Sequence, residues 1–195
     1  MQLEIQNKSY TTEEYLELEE KAEFRSEYRD GEIVPITGGT TNHNKITLNL
    51  AASLKIALRG KKYDVYMSDV RLWIPRYRQY TYPDVMLIEG EPVYTGINTT
   101  TVMNPSLIAE VLSKSTKNFD RGDKFLYYRS IPEFKEYILI DQYNYHVMQY
   151  VKTGEDKWLL TELEGKEKNL SLQTVDLQIQ FSELYEQVDF TKKEE

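Results

Sequence analysis

The chain has no cysteine, which excludes disulfide staples, thiolate zinc sites and thiol nucleophiles. Histidine is scarce as well: His43 and His146 are the only two, too few for a histidine-rich metal site. Any bound metal should therefore be held mainly by carboxylates, which points to hard ions such as Mg2+ or Mn2+. No apolar run approaches the roughly 18 residues needed to cross a bilayer, so no membrane partner is expected. The N-terminal Met1-Gln2-Leu3-Glu4-Ile5 does not read as a signal peptide, and with the missing cysteines this gives a cytoplasmic expectation. Basic residues are in deficit, 24 against 32 acidic ones, for a net charge of −8. That deficit argues against a general nucleic-acid binder with a basic footprint over its whole surface. A DNA-binding face is still compatible with it, provided the face is local and concentrated. Repeats, low-complexity stretches and Pro/Gly/Ser linkers are also lacking. Residues 1–195 therefore read as a single domain, with a core over about 11–185 and a frayed tail at 189–195.

The residues that are present alternate between helix and strand signals. Thr11 with Glu14 fits a capping box opening a helix through about Ala22. Ser26 to Val34 reads as a hairpin turning at Asp30-Gly31. A helix over Asn44–Arg59 follows from the fourfold spacing of Ile46, Leu50, Leu54 and Leu58, with Gly60 as its stop. Strands are predicted at Asp64–Met67, Val70–Ile74, Asp84–Ile88 and Leu107–Leu112, and again at Glu136–Ile140, Tyr145–Val151 and Trp158–Leu163. A helix over Asp120–Ser130 lies between two of these strands, where a crossover would run. Leu177–Tyr185 reads as a strand leading into a short helix. The pattern is mixed α/β, a sheet core with about three helices.

Two acids stand where a core strand should be apolar. Asp84 heads the run Val85-Met86-Leu87-Ile88, and Glu110 is embedded in Leu107-Ile108-Ala109-Glu110-Val111-Leu112. Such runs mark strands buried on both faces, and alternation puts Glu110 on the face of Ile108 and Leu112. An unpaired buried carboxylate costs roughly several kcal/mol, so each acid calls for a cation, either a metal ion or a Lys or Arg. Taken singly, each reads equally well as a strand-end acid paired with a basic side chain. Two on consecutive buried strands favour a shared cation. Lys124 follows Glu110 by fourteen residues and shares a helical face with Asp120, Tyr127 and Tyr128. Spacing alone favours an ordinary lysine paired with Asp120 over a lysine that stabilises charge at a phosphate.

These residues, together with Tyr82-Pro83-Asp84-Val85, Ala109 to Thr116, Asp120-Arg121-Gly122-Asp123-Lys124, Tyr137 to Asp141, Tyr28 to Ile33 and Thr41-Asn42-His43-Asn44, closely resemble the Uma-two family of restriction-type endonucleases. The resemblance runs over roughly Thr11 to Tyr185. That family is similar to the PD-(D/E)xK nucleases, which implies a restriction-endonuclease-like fold: a mixed central β-sheet flanked by helices. It implies Asp84 as the aspartate of the PD motif and Glu110 as its second acid. The motif's lysine should stand two residues after Glu110, where this chain has Leu112, so Lys124 is implied as a lysine that has migrated to the next helix.

The implied activity is metal-dependent hydrolysis of DNA phosphodiesters. Asp84, Glu110 and the Val111 carbonyl would hold Mg2+ or Mn2+, and Lys124 would steer the nucleophile. Glu32 and His43 are supporting candidates; a solvated hairpin acid and a local helix cap are their alternatives. Arg76, Arg78, Lys114, Lys117 and Arg121 are candidates for a local DNA-binding rim, with solvated surface as the alternative. Arginines and tyrosines interleave from Arg76 to Tyr82, a pattern that suits contact with a nucleic-acid strand. Nucleases that cut both strands often pair, which leaves a homodimer open. The competing reading is a catalytically inactive nucleic-acid- or protein-binding module on a nuclease-like scaffold, motivated by the net charge and the displaced lysine.

Overall fold

The computed structural model of the protein describes residues 8–191 apart from 97 and 115, so most of the expected tail, 192–195, lies outside the described residues. Helix α1 (Thr12–Lys21) opens with a reciprocal capping box, in which the Thr11 hydroxyl accepts from the Glu14 N–H and the Glu14 carboxylate from the Thr11 N–H. The hairpin follows as β1 (Ser26–Arg29) and β2 (Glu32–Pro35). It turns on Asp30 and Gly31, both at positive φ, as a two-residue turn matched to strand twist requires. Helix α2 spans Thr41–Ala57 and starts three residues before the expected Asn44. Its cap is Thr40, whose hydroxyl accepts from the His43 N–H.

The strands β3 (Tyr63–Met67), β4 (Arg71–Ile74), β5 (Gln79–Thr81), β6 (Val85–Glu89), β7 (Thr101–Val102) and β8 (Leu107–Leu112) come next. A helical run follows, made of α3 (Lys117–Phe119), a π-helical turn (Asp120–Lys124) and α4 (Phe125–Tyr128). The chain continues through β9 (Glu136–Asp141), β10 (His146–Gly154), β11 (Lys157–Glu164), β12 (Asn169–Leu172), β13 (Leu177–Gln180) and α5 (Phe181–Leu184). β5, β7 and β12 are short strands that the apolar periodicity did not announce. The helices number five among the described residues, more than the three expected.

Six strands form the central mixed sheet in the order β11-β10-β9-β8-β6-β3. Its parallel pair is β8 with β9, and the 117–128 helical run supplies the crossover that a parallel pair needs. A five-stranded sheet, β2-β1-β5-β4-β7, and the β12-β13 ribbon complete the architecture. One face of the central sheet, including Ala109, Val111, Ile138 and Ile140, packs on α2 and α5. The other face, including Ile108, Leu112 and Leu139, packs on Tyr128, Phe134 and the β4 residues Leu72 and Ile74. β8 is therefore buried on both faces along its whole length, as its unbroken apolar run predicts. Among the described residues no helix is long and apolar enough to cross a membrane.

Candidate active site

Strand pairing brings the two acids together. Val85 at the head of β6 pairs with Ala109 of the antiparallel β8, which sets Asp84, just before β6, beside Glu110 within β8. The Asp84 N–H points at Glu110 Oε2 over 3.4 Å, and the Val111 N–H donates to Asp84 Oδ2 at 2.7 Å. Lys124 reaches the pair from the crossover helix, with Nζ 3.0 Å from Glu110 Oε1. The same Nζ lies 3.2 Å from Asp120 Oδ1 and 3.6 Å from Glu27 Oε1. Lys124 does pair with Asp120, as helix spacing suggested, but it is a buried group among three carboxylates rather than a surface lysine.

The surrounding side chains fix this arrangement. One helical turn past Lys124, the Tyr128 hydroxyl donates to Glu110 Oε1 at 2.6 Å. His43, in the first turn of α2, holds Asp84 Oδ1 through Nε2 at 2.8 Å. Glu27 enters from β1 and is buried; it accepts hydrogen bonds from Thr81 and from the Arg29 guanidinium. All of these groups line or underlie a cleft of about 830 Å3, whose rim carries Arg25, Arg29 and Lys114.

Electrostatically the site has too few cations. Burial pushes the Glu110 carboxyl up to about 8, against the pull of Lys124, with Asp84 and Asp120 adding to the rise. Burial alone would lower the Lys124 ammonium, but Glu110, Tyr128, Glu27 and Asp120 hold it well above its ordinary value. Glu27 stays below the usual carboxylate range despite its burial, because Lys124 and the Thr81 and Arg29 hydrogen bonds favour its charged form. For His43, too, burial works to lower the imidazole, and the Asp84 hydrogen bond and charge overcome it and raise it. Asp120 Oδ1 lies within ion-pair distance of Lys124 yet is buried without hydrogen-bond geometry to any described group. The carboxylates of Glu110, Asp120 and Glu27 thus crowd around the Lys124 ammonium, while Asp84 is held by His43.

That donor set fits a hard divalent cation. Its ligands are oxygens with an excess of negative charge, and Mg2+ in particular is commonly held by one or two carboxylates while it keeps several waters. Among the described residues no three His, Asp or Glu groups converge at metal-ligand spacing, so a resident ion would take the remainder of its shell from backbone and water.

Other expected residues lie elsewhere. Glu32 is exposed at the start of β2 and lines no part of the cleft; Glu27, five residues earlier, is the hairpin acid that reaches Lys124. Arg78 is exposed and paired with Asp30 at 2.9 Å. Lys117 and Arg121 are exposed and do not line the cleft, whereas Lys114 does. Arg76 lines a separate, smaller depression. Arg25, Arg29, Tyr128 and Glu27 were not singled out by sequence. Tyr128 carried one usable signal, its place four residues after Lys124 on the same helical face. Glu27 carried none, because Ser26-Glu27-Tyr28-Arg29 contains no apolar run against which a buried acid would stand out.

Comparison with known proteins bears on the family and the fold. The model for the family described as "Uma2: Putative restriction endonuclease" matches residues 12–182. Two proteins of Synechocystis sp., named only "Uncharacterized protein", are similar along most of their length. Protein sll1609 is 49% identical over 159 residues, covering 82% of this chain and 90% of that protein. Protein slr1290 is 31% identical over 178 residues, covering 91% and 92% respectively. A crystal structure of a "putative nuclease belonging to DUF820" from Anabaena variabilis superposes with a TM-score of 0.74 at 16% identity, over 90% of this chain and 97% of that one. At that identity the superposition establishes the fold, which is restriction-endonuclease-like in its mixed sheet and flanking helices. With the family model spanning all but the ends of the chain, this protein belongs to the Uma2 family of restriction-endonuclease-type proteins.

Proposed function

We propose that this protein is a Mg2+- or Mn2+-dependent endonuclease that hydrolyses DNA phosphodiester bonds at the Asp84–Glu110–Lys124 cluster. The observation that carries the reading is the convergence of two acids on adjacent strands and a buried lysine from the crossover helix on the floor of one cleft. Asp84, Glu110 and the Val111 carbonyl are the groups that would hold the ion. When bound, it supplies Lewis acidity, lowering the pKa of a ligated water and offsetting charge on the scissile phosphate.

The chain's own residues do the rest. His43 holds one Asp84 oxygen and the Val111 N–H the other, so the carboxylate is oriented before substrate arrives. Tyr128 does the same for Glu110. Lys124 presents a permanent positive charge next to Glu110, where it can orient the attacking water and stabilise negative charge developing on the phosphate. Arg25, paired with Asp69, Arg29, paired with Glu27, and Lys114 are the cations at the rim that can meet a phosphate backbone.

The test is nicking of supercoiled plasmid with Mg2+ or Mn2+ by wild type and by Asp84→Ala. Metal-dependent nicking that Asp84→Ala abolishes is the expected result. Equal activity of the two across metals and substrates would return the protein to the inactive binding-module reading.

A further inference from the structure

Arg76 and Tyr77 are not used by the catalytic cluster, yet they sit at one end of a row of cations and rings. The row begins in the cleft, where the Arg29 guanidinium stacks 3.8 Å over the Phe119 ring while it binds Glu27. Phe119 meets Tyr127 at 6.1 Å between centroids, and Tyr127 meets Tyr77 at 4.6 Å. Beyond Tyr77 the surface dips into a second depression of about 230 Å3, flanked by Arg76, Arg129, Lys152 and Trp158. Two acids, Glu155 and Asp156, also border it, so the cations there exceed the acids by one. In a chain with a large acidic excess, that local balance is the exception.

The end of the row is fixed rather than loose. Pro75–Tyr77 forms a 3-10 turn closed by Arg78 in the left-handed region, φ 47°. Arg78 tolerates that backbone because its N–H bonds the Pro75 carbonyl and its guanidinium is tied to Asp30. Tyr77 and Tyr127 remain half-buried against the second core cluster, and Arg76 and Arg129 are exposed. Rigid rings in series with interleaved cations form the surface on which single-stranded nucleic acid stacks its bases and lays its phosphates. A duplex hides its base faces and can use only the cations.

We infer that the Phe119–Tyr127–Tyr77 row and the adjoining Arg76–Arg129 depression form a binding track for single-stranded nucleic acid leading out of the catalytic cleft. Nucleic acid as occupant rests on the nuclease reading above; the single-stranded form is assigned by the rings. The track makes a substrate with an unpaired flank bind better than a continuous duplex.

The experiment is fluorescence anisotropy with labelled dT20, rU20 and a 20-base-pair duplex, in EDTA so that no cleavage intervenes. It compares the full chain with Tyr77→Ala, Tyr77→Phe and the exposed-site double variant Arg76→Ala/Arg129→Ala. Expected are tighter binding of dT20 than of duplex, a loss of at least about fivefold in Tyr77→Ala and in the double variant, and near-wild-type binding by Tyr77→Phe. Equal sensitivity of rU20 would assign the track to single strands of either sugar, and insensitivity of rU20 would assign it to DNA; both support the track. Duplex bound as well as dT20, or dT20 binding unchanged in Tyr77→Ala and in the double variant, overturns it. Because the measurement needs no catalysis, an inactive enzyme that still shows these losses defeats the nuclease reading alone.

Discussion

At the scale of single residues, the central fact is that Glu110 is a buried carboxyl whose proton affinity is raised while its neighbours carry most of the cluster's charge. The consequence for stability has a definite sign. A folded pKa of about 8, above the ordinary value of 4.5, means that between those limits the folded state holds a proton that the unfolded state has lost. The Glu110 contribution is therefore fullest below about 4.5 and declines as pH rises towards 8. Glu110→Gln, which cannot ionise, should gain stability relative to wild type as pH is raised through that window, with the difference levelling off above it. Chemical denaturation at a series of pH values reads this directly, and a difference independent of pH would contradict it. Lys124→Ala should destabilise by about 3 kcal/mol or more near pH 8, because it leaves Glu110, Asp120 and Glu27 without their common cation. Much of this was legible in the sequence. Asp84 and Glu110 stood out because a carboxylate interrupts an apolar run visibly. Lys124 did not, because Asp120-Arg121-Gly122-Asp123-Lys124 is polar throughout and burial on a packed helix face leaves no mark in so charged a segment.

At the scale of elements, the feature that completes the cluster is the π turn over Asp120–Lys124. An ideal α-helix carries residues four and eight positions along by roughly 40° and 80° around its axis. A wider turn rotates less per residue and recovers part of that drift, so Asp120, Lys124 and Tyr128 all face the Glu110 carboxylate. This is how a lysine absent from β8 comes to lie beside Glu110. The register of side chains is the essential part, not the glycine: a Cβ at Gly122 would meet nothing within 4 Å. Gly122→Ala should therefore stabilise the protein by about 0.5–1 kcal/mol through the unfolded chain, with nicking retained; thermal unfolding and the plasmid assay together check it. Thr40→Ala should cost about 1 kcal/mol, because it removes the α2 cap, and it should also weaken catalysis by loosening the helix start that carries His43. Neither device was readable beforehand. A π turn has no periodicity of its own, and the apolar spacing from Ile46 that placed the helix start near Asn44 does not register the polar first turn that Thr40 caps.

At the scale of the whole molecule, the mixed sheet was legible because long apolar strands are among the strongest patterns a chain can carry, and its crossover because a helical segment falls between two of them. The five-stranded sheet was not. β5 and β7 span three and two residues, too short for an alternation to register. That second sheet matters to the site, since it supplies Glu27 from β1 and buttresses it with Thr81 from β5. Of the expected basic rim only Lys114 lines the cleft, beside Arg25 and Arg29, while Arg76, Arg78, Lys117 and Arg121 lie off it. With Arg25, Arg29 and Lys114 at the cleft and Arg76, Arg129 and Lys152 along the proposed track, binding of a single strand should fall with salt on a log–log slope of about −4, as six neutralised phosphates imply. A much steeper slope in an anisotropy titration would mean that the binding face lies elsewhere.

The central claim, that Asp84 and Glu110 hold a catalytic cation beside Lys124, is tested most directly by titrating Mn2+ into the metal-free protein and counting bound ions by electron paramagnetic resonance. Wild type should bind Mn2+, while Asp84→Asn and Glu110→Gln, each folded by circular dichroism, should lose that binding. Mn2+ bound equally well by both variants, or not bound by wild type, would contradict the account.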